Sequence, residues 1–194
     1  MLDIYFASGN PHKVLEINEI AHPYGVNAKL PEGKFDPDET GSTYEENSFI
    51  KAYEASKCCG GEADLFLADD SGLEIYALNN APGLKSARYA PTAEDRINRV
   101  LSELQGVKER GARFVCAMTL CNKKGEVIFK TTGIMEGKIS EKPAGNGGFG
   151  YDPIFVPEGY EVSVAEISED EKNLISHRGC ALRKVLEFLE DYKN

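Results

Sequence analysis

The chain has 194 residues, 41% of them hydrophobic and 28% charged, and its formal net charge is −10. This predicts one domain over residues 1–194 with one substantial core, and the apolar runs are too short to cross a membrane. The negative charge repels polyanions, so nucleic acid is disfavoured as a partner, and a phosphate ligand would need a local basic pocket or a divalent cation.

The cysteines and the first residues bear on where the protein acts. The five cysteines form no C-x-x-C motif, which suits neither a disulfide framework nor a zinc site. They are Cys58, Cys59, Cys116, Cys121 and Cys180. Because Met1-Leu2-Asp3 carries no basic region, we expect no secretory signal and a cytoplasmic location.

The chain opens on a predicted strand, loop and helix. An apolar run, Leu2 to Ala7, breaks into Ser8-Gly9-Asn10-Pro11-His12-Lys13, in which Asn10 suits the N-cap and Pro11 the first helical position. Apolar residues follow at helical spacing at Val14, Ile17 and Ala21. Such a loop offers backbone N–H groups and the positive helix dipole to an anion, and Lys13 adds a charge. It is not a P-loop, and a capped helix with a surface lysine is the alternative.

The next region is predicted to hold a short extended segment, a loop and a helix. The extended segment lies around Val26 to Leu30, and the polar loop covers Pro31 to Ser42. Thr43 opens a helix that runs to about Cys59, and Gly60-Gly61 ends it.

A pair of aspartates follows a buried strand. Leu65-Phe66-Leu67-Ala68 predicts a strand that ends in Asp69-Asp70-Ser71-Gly72, with extended structure resuming from Leu73 to Leu78. Two adjacent carboxylates at such a place cost stability unless a cation or hydrogen bonds compensate them, and Mg²⁺ suits oxygen ligands. An Asx-type turn with Gly72 in a left-handed conformation is the alternative.

The second half is predicted to contain a helix, a hairpin, a strand and a closing helix. Pro91-Thr92-Ala93-Glu94-Asp95 resembles a capping box. Arg113 to Cys121 and Glu126 to Glu136 predict an antiparallel hairpin, and Asp152 to Val156 predicts a strand. The closing helix carries an apolar face formed by Leu182, Val185, Leu186 and Leu189.

A glycine cluster, Gly145 to Tyr151, formally matches G-x-G-x-x-G. It leads into a strand rather than a helix, so we reject a dinucleotide-binding fold. The glycines instead allow a flat ligand to approach the backbone closely, with Phe149 or Tyr151 available for stacking. A flexible loop anchored by its aromatic residues is the alternative.

Charged residues near two helix starts have two readings each. Glu45 and Glu46 complement the dipole of their helix, or one of them binds a metal. Lys172, His177 and Arg178 lie near the start of the last helix, where cations are unfavourable, so an anionic or base-edge ligand would explain them. Solvated surface residues are the alternative.

Several short sequence segments, each present once, follow one another across nearly the whole chain. They are Ser8-Gly9-Asn10-Pro11-His12-Lys13, Thr43-Tyr44-Glu45-Glu46-Asn47, Ala68-Asp69-Asp70-Ser71-Gly72-Leu73, Ala81-Pro82-Gly83 with Ser86-Ala87-Arg88-Tyr89, Gly148-Phe149-Gly150-Tyr151-Asp152-Pro153 and Ser176-His177-Arg178-Gly179. In this order they resemble the inosine triphosphatase-like family of nucleoside triphosphate pyrophosphatases. The resemblance implies an α/β fold with a long central mixed β-sheet flanked by helices, two lobes with an active-site cleft between them, and a homodimer. It also implies hydrolysis of ITP, dITP and XTP to the monophosphate and pyrophosphate, which cleanses the nucleotide pool.

The same resemblance implies residue roles. The triphosphate would be bound by Ser8, Gly9, Asn10, Pro11, His12, Lys13 and, less securely, Lys51. Ser71 would lie beside the nucleotide, and base and sugar would be held by Phe149, Gly150, Tyr151 and Asp152. Base or phosphate would be reached by Lys172, His177 and Arg178. Mg²⁺ would be held by Glu46 and Asp70, with Glu45 as an alternative to Glu46.

Asp70 would also be the base that activates water. A donor from Arg178 or a loop N–H would favour a 6-keto purine over adenine. The rival functions are a nucleotide-binding sensor without chemistry and a pyrophosphatase for a modified pyrimidine or methylated nucleotide.

Overall fold

The structure, a computed structural model, describes residues 1–30, 35–59 and 63–192. The strands are β1 (Leu2–Phe6), β2 (Val26–Lys29), β3 (Leu65–Ile75), β4 (Ala81–Pro82), β5 (Gly111–Asn122), β6 (Val127–Ile139) and β7 (Phe155–Pro157). The α-helices are α1 (Pro11–Ala21), α2 (Tyr44–Cys58), α3 (Ala93–Glu103), α4 (Glu169–Ile175) and α5 (His177–Tyr192). Every described helix is too short or too polar to cross a membrane.

The strands form one 7-stranded mixed sheet in the order β2-β1-β3-β5-β6-β7, with β4 paired to β3. β1 runs parallel to β2 and β3, with Leu2 opposite Val26 and Tyr5 opposite Phe66. β4 pairs antiparallel with β3, and β7 with β6. The predicted α/β fold with a mixed sheet is confirmed, and the predicted hairpin corresponds to the neighbouring strands β5 and β6.

By its internal contacts the chain divides into two compact units. Unit 1 comprises Met1–Asp70, Cys116–Gly133 and Arg178–Asn194, and unit 2 comprises Ser71–Val115 and Ile134–His177. The single domain of two lobes with a cleft stays a prediction.

In unit 1 the sheet is covered on both faces. Ile4 of β1 and Leu67 of β3 belong to a core cluster with residues of α1 and α5. Their neighbours Tyr5 and Phe66 belong to a different cluster, with Ala52 and other residues of α2. Because successive strand residues point to opposite faces, α1 and α5 cover one face and α2 covers the other. The predicted apolar face of the closing helix is confirmed, since Leu182, Val185, Leu186 and Leu189 are all fully buried.

Unit 2 has its own core. It contains Leu73 and Ile75 from β3, Val100 from α3 and Phe155 from β7, with Tyr151 packed among them. The predicted capping box is confirmed, with its reciprocal bonds between the N-cap, Thr92, and Asp95.

Two predicted element boundaries were wrong. β3 does not end at Asp69-Asp70-Ser71-Gly72 but runs through it to Ile75, and Gly72 has no left-handed backbone. The strand can continue because basic side chains and an amide compensate both carboxylates, as described below. Residues 152–154 form a 3₁₀ turn rather than the start of a strand, since Pro153 has no N–H for a sheet ladder. The predicted loop at Pro31 to Lys34 and the helix stop at Gly60-Gly61 lie outside the described residues.

Candidate functional site

The loop after β1 has the predicted local geometry. Ser8 Oγ accepts the Asn10 N–H at 3.1 Å, and Asn10 Oδ1 accepts the His12 N–H at 3.0 Å, so Asn10 is the N-cap of α1. Pro11 occupies the first helical position. These bonds fix the first turn of α1, on which Lys13 lies.

Asp69 and Asp70 point to opposite faces of the sheet because they are successive residues of one continuous strand. Asp69 follows the alternation of Leu67 and lies on the face that α1 and α5 cover. Asp70 follows the alternation of Ala68 and lies on the face that α2 covers. One residue step therefore gives the two carboxylates different neighbours.

Asp69 is enclosed by two cations. Lys13 Nζ lies 3.0 Å from Asp69 Oδ1 and 2.9 Å from Oδ2, and Arg178 Nε donates to Oδ2 at 3.3 Å. The Cys116 thiol also faces Oδ2, at 3.8 Å. Arg178 donates a further bond from Nη1 to Glu16, which lies on α1 one turn beyond Lys13. The side chains of Asp69 and Arg178 are 1% and 3% exposed, so this is a buried charge network.

Asp70 has weaker compensation on the α2 face. Asn47 Nδ2 donates to Asp70 Oδ2 at 3.1 Å, while Lys51 Nζ lies 3.4 Å from Oδ1. Lys51 makes a shorter bond, 2.8 Å, to Glu39 Oε1. Asn47 also accepts the Gly41 N–H at 2.8 Å, so its amide is oriented by the loop before α2. The positions of Asn47 and Lys51, one helical turn apart, place both on the side of α2 that meets Asp70.

The two aspartates have pKa values displaced in opposite directions. Burial by itself raises the pKa of Asp69, but the charges of Lys13, Arg178 and Lys51 outweigh it and hold that pKa well below its usual range. Burial also raises the pKa of Asp70, and there Lys51 and the Asn47 amide offset it only in part. Titratable neighbours whose pKa values are pushed apart are typical of divided roles at an active site. Asp69 thus has strong charge compensation, whereas the charge of Asp70 is compensated only in part.

Glu45 and Glu46 lie in the first turn of α2. The Glu46 carboxylate accepts the Ser42 N–H at 2.6 Å and the Ser42 hydroxyl at 2.8 Å, and these bonds lower its pKa. Thr43 is the N-cap and accepts the Glu46 N–H at 3.1 Å. Glu45 instead accepts a long bond, 3.4 Å, from Thr132 Oγ1. Of the two carboxylates, Glu46 has the contacts of a helix start and is the more firmly held.

The carboxylates suit a divalent cation only with help from a ligand. Within the described ranges, no three His, Cys, Asp or Glu side chains form a group that could hold a metal ion. Mg²⁺, however, is commonly held by one or two carboxylates together with substrate phosphates and water. Asp70 fits that chemistry, since it is a buried oxygen ligand whose raised pKa reflects incomplete compensation of its charge. The residues present therefore fit Mg²⁺ that arrives with a phosphate ligand.

In unit 2 the glycine-rich loop is organised around Asp152. The carboxylate accepts the Phe149 N–H at 2.8 Å and the Lys172 ammonium at 3.0 Å through the same oxygen, Oδ2. Lys172 Nζ also lies 4.8 Å from the centre of the Phe149 ring. A Cβ on Gly148 would lie 2.1 Å from Asp152 Oδ2, so only glycine fits there. The predicted residues Phe149, Asp152 and Lys172 are thus brought together.

Two aromatic residues that were predicted to bind the nucleotide make packing contacts within the protein. Tyr151 is buried, and its hydroxyl donates to the Ser86 backbone carbonyl at 2.8 Å. His177 stacks on Phe114, with ring centres 4.8 Å apart and planes 11° from parallel. Both contacts fix elements of unit 2.

Sequence reasoning gave no role to several residues of the unit 1 network. Glu16, Asn47 and Glu39 received no role, and Asp69 was considered only as half of the carboxylate pair, although each contacts a residue that was predicted to belong to the site. Two of them had a usable signal. Asn47 and Lys51 are four positions apart on a predicted helix, and Lys13 and Glu16 are three apart. Glu39 had none, because it precedes α2 in a segment without regular structure.

Comparisons with known proteins agree with the resemblance seen in the sequence. The model of the Ham1 family matches residues 4–188. A dITP/XTP pyrophosphatase of Treponema denticola is 44% identical, over 97% of this chain and 99% of that protein. One of Clostridium perfringens is 46% identical over 98% of each. The solved structure of a HAM1 protein from Coxiella burnetii is 40% identical and superposes with a TM-score of 0.85, covering 98% of this chain and 100% of the other.

Proposed function

Because the chain belongs to the Ham1 family, we propose that it is a nucleoside triphosphate pyrophosphatase acting on deaminated purine nucleotides. It hydrolyses ITP, dITP and XTP to the monophosphate and pyrophosphate and so removes them from the nucleotide pool. The relatives named dITP/XTP pyrophosphatases support this substrate class. The structural observation that carries the chemistry is the different compensation of two neighbouring carboxylates: Asp69 contacts Lys13 and Arg178, whereas Asp70 receives the Asn47 amide and lies 3.4 Å from Lys51.

The triphosphate is bound by the loop that contains Ser8, Gly9, Asn10, Pro11, His12 and Lys13. Backbone N–H groups at the start of α1 and the helix dipole favour an anion there. Lys13 is held by Asp69, yet its side chain is still 16% exposed. An ammonium group has three donors, so Lys13 can keep Asp69 and bind a phosphate oxygen. Lys51 is the second phosphate contact, and Arg178 is a further residue predicted to reach base or phosphate.

Asp70 is the general base. It accepts a proton from the water that attacks the α-phosphate, and its contacts suit this task because Asn47 and a lysine 3.4 Å away compensate its charge only in part. Asn47 holds one carboxylate oxygen and so fixes the direction of the other. Glu46 and Asp70 would hold Mg²⁺ together with the substrate, and the bound ion would supply positive charge for the pyrophosphate leaving group.

The base and sugar are bound by residues of unit 2. Phe149, Gly150, Tyr151 and Asp152 form the loop, Lys172 and His177 complete it, and Ser71 lies beside the nucleotide. A 6-keto purine offers an acceptor where adenine offers an amino donor, so a buried N–H in this loop favours the deaminated base. An unsatisfied donor costs about 1–3 kcal/mol, or roughly tenfold to hundredfold in selectivity. We assign the donor to the loop, since two nitrogens of the Arg178 guanidinium already bind Asp69 and Glu16.

Two further parts of the proposal concern assembly and location. The family resemblance implies a homodimer, which light scattering coupled to size exclusion would test. The protein is also proposed to act in the cytoplasm, which cell fractionation followed by detection of the protein would test.

A nucleotide panel tests the proposed function. With Mg²⁺ present, ITP, dITP and XTP should release pyrophosphate, while ATP should turn over at least about tenfold more slowly. GTP shares the 6-keto group, so slow turnover of GTP would mean that the pocket offers its 2-amino group no acceptor. EDTA should abolish turnover and excess Mg²⁺ should restore it. Release of orthophosphate alone would contradict cleavage between the α- and β-phosphates. Tight binding of ITP without any product would instead favour a nucleotide sensor.

A further inference from the structure

Two adjacent cysteines end helix α2. Cys58 is its last residue, and Cys59 is the capping residue, where the backbone has left the helical conformation with φ −122° and ψ 12°. Their Sγ atoms are 3.1 Å apart. The Ala55 carbonyl accepts the Cys59 N–H at 2.9 Å and the Cys58 thiol at 3.5 Å. The two sulfur atoms therefore face each other at the end of the helix.

The two thiols differ in access. Cys58 is exposed, whereas Cys59 is 8% exposed and packs in the core cluster that contains Tyr5 and Phe66. A reagent can reach Cys58 first, and Cys59 then lies within reach of the Cys58 sulfur. An exposed thiol beside a shielded one is the arrangement of an attacking thiol and a resolving thiol.

The remaining cysteines lack this arrangement. Cys116 and Cys121 are fully buried, and burial raises the pKa of both, that of Cys121 to about 11. Cys180 is half-buried, and its sulfur accepts a bond from Arg183 at 3.4 Å. The described residues also contain no third His, Cys, Asp or Glu ligand grouped with the pair, so a four-coordinate soft-metal site is not built there.

We propose that Cys58 and Cys59 form a redox-active dithiol that reacts with low-molecular-weight disulfides such as glutathione disulfide. The Cys58 thiolate attacks the small disulfide, forms a mixed disulfide and releases one small thiol. The Cys59 thiolate then attacks Cys58 Sγ and releases the second. One protein disulfide forms, two small thiols leave, and the two protons of the protein thiols end on the released thiols.

The disulfide between these cysteines is readily reversible. Adjacent Cα atoms are about 3.8 Å apart across a trans peptide, while most protein disulfides join Cα atoms roughly 4.4–6.8 Å apart. A strained, exposed disulfide is easily reduced. The site therefore cycles with the thiol and disulfide balance of its surroundings, independently of the hydrolytic reaction.

Mass spectrometry of the intact protein after incubation with glutathione disulfide tests the proposal. The wild type should lose the mass of two hydrogen atoms and two titratable thiols, and peptide mapping should place the cross-link between Cys58 and Cys59. Cys59→Ser should stop at a glutathione adduct on Cys58. Cys180→Ser, the matched control, should behave as the wild type, and excess reduced glutathione should restore both thiols.

Three outcomes would overturn the proposal. The first is that the wild-type protein accumulates only the glutathione adduct. The second is a cross-link that involves Cys116, Cys121 or Cys180. The third is that the protein does not react while a small dithiol in the same tube is oxidised. Circular dichroism melts show whether each variant is folded. Cys59→Ala serves in place of Cys59→Ser should a hydroxyl in the core prevent folding, and it too should stop at the adduct.

Discussion

Asp69 and Asp70 lie on opposite faces of the sheet and have different contacts there. On the face covered by α1 and α5, Asp69 is surrounded by Lys13 and Arg178 and is fixed as an anion. On the face covered by α2, Asp70 receives an amide bond and shares one lysine with Glu39. The contrast shows that the alternation of a single strand can give two neighbouring carboxylates very different charge compensation.

Because their contacts differ, substitution of Asp69 and substitution of Asp70 should have different effects. Loss of Asp69 leaves the buried Arg178 and the half-buried Lys13 without their shared anion, which is a problem of stability. Loss of Asp70 leaves only a half-compensated lysine, which still has Glu39, but removes the group placed to accept a proton. Stability and activity should therefore separate between two residues that are adjacent in the chain.

Asp70→Asn should produce the largest effect on activity. The amide keeps the size of the side chain but cannot accept the proton, so kcat for ITP should fall about 10²–10⁴-fold. Steady-state pyrophosphate release gives kcat, and calorimetric titration with ITP should show that binding survives. Activity within tenfold of the wild type would rule out Asp70 as the base.

Asp69→Asn should produce the largest effect on stability. Removing one partner of a buried ion pair costs about 3–5 kcal/mol. The loss should lie toward the lower end of that range, because Arg178 keeps Glu16 and Lys13 is partly exposed. Urea unfolding followed by circular dichroism measures this loss. Asp3→Asn is the matched control, since Asp3 pairs with Lys29 on the exposed surface and its loss should leave stability nearly unchanged. Equal stability of the two variants would mean that the Asp69 network contributes no more than a surface pair.

The fold was predictable wherever local patterns decided it. The N-cap and proline at the start of α1, the capping box of α3 and the apolar face of α5 each rest on residues close in sequence. The end of β3 was wrongly predicted at the aspartate pair, because polar residues in a strand normally mark its end. What keeps β3 extended there is the arrival of Lys13, Lys51 and Arg178 from distant parts of the chain, which no local pattern contains.

The candidate site was predictable in its residue types but not in its pairings. The family resemblance named Lys13, Asp70 and Lys172, yet it left Asp69 without a role. The partner of Arg178 could not be read from the sequence either, because Glu16 lies far from it in the chain. Long-range ion pairs depend on sheet order and helix placement, which a single sequence does not specify.

The loop around Asp152 contains a glycine whose substitution tests whether a second carboxylate acts by holding its neighbours. Gly148 and Gly159 both have left-handed backbones, at φ +67° and +82°, so alanine strains either position. At Gly148 the new Cβ would meet the Asp152 carboxylate, which holds Phe149 and Lys172, whereas at Gly159 it would meet nothing within 4 Å. Gly148→Ala should raise KM for ITP roughly tenfold or more relative to Gly159→Ala, because misplaced binding groups lose affinity. Equal KM values in steady-state assays would remove Asp152 from substrate binding.

The smallest expected effect concerns the metal ligand on the α2 face. Glu46→Gln should raise the Mg²⁺ concentration needed for half-maximal activity severalfold, because an amide oxygen is a weaker ligand than a carboxylate. Glu45→Gln should leave it unchanged, and the two variants differ only in which neighbouring side chain loses its charge. Both should melt close to the wild type, since each carboxylate is exposed. A Mg²⁺ titration of initial rates distinguishes the two variants. If only Glu45→Gln needed more Mg²⁺, the ligand would be Glu45, whose side chain contacts Thr132, rather than Glu46.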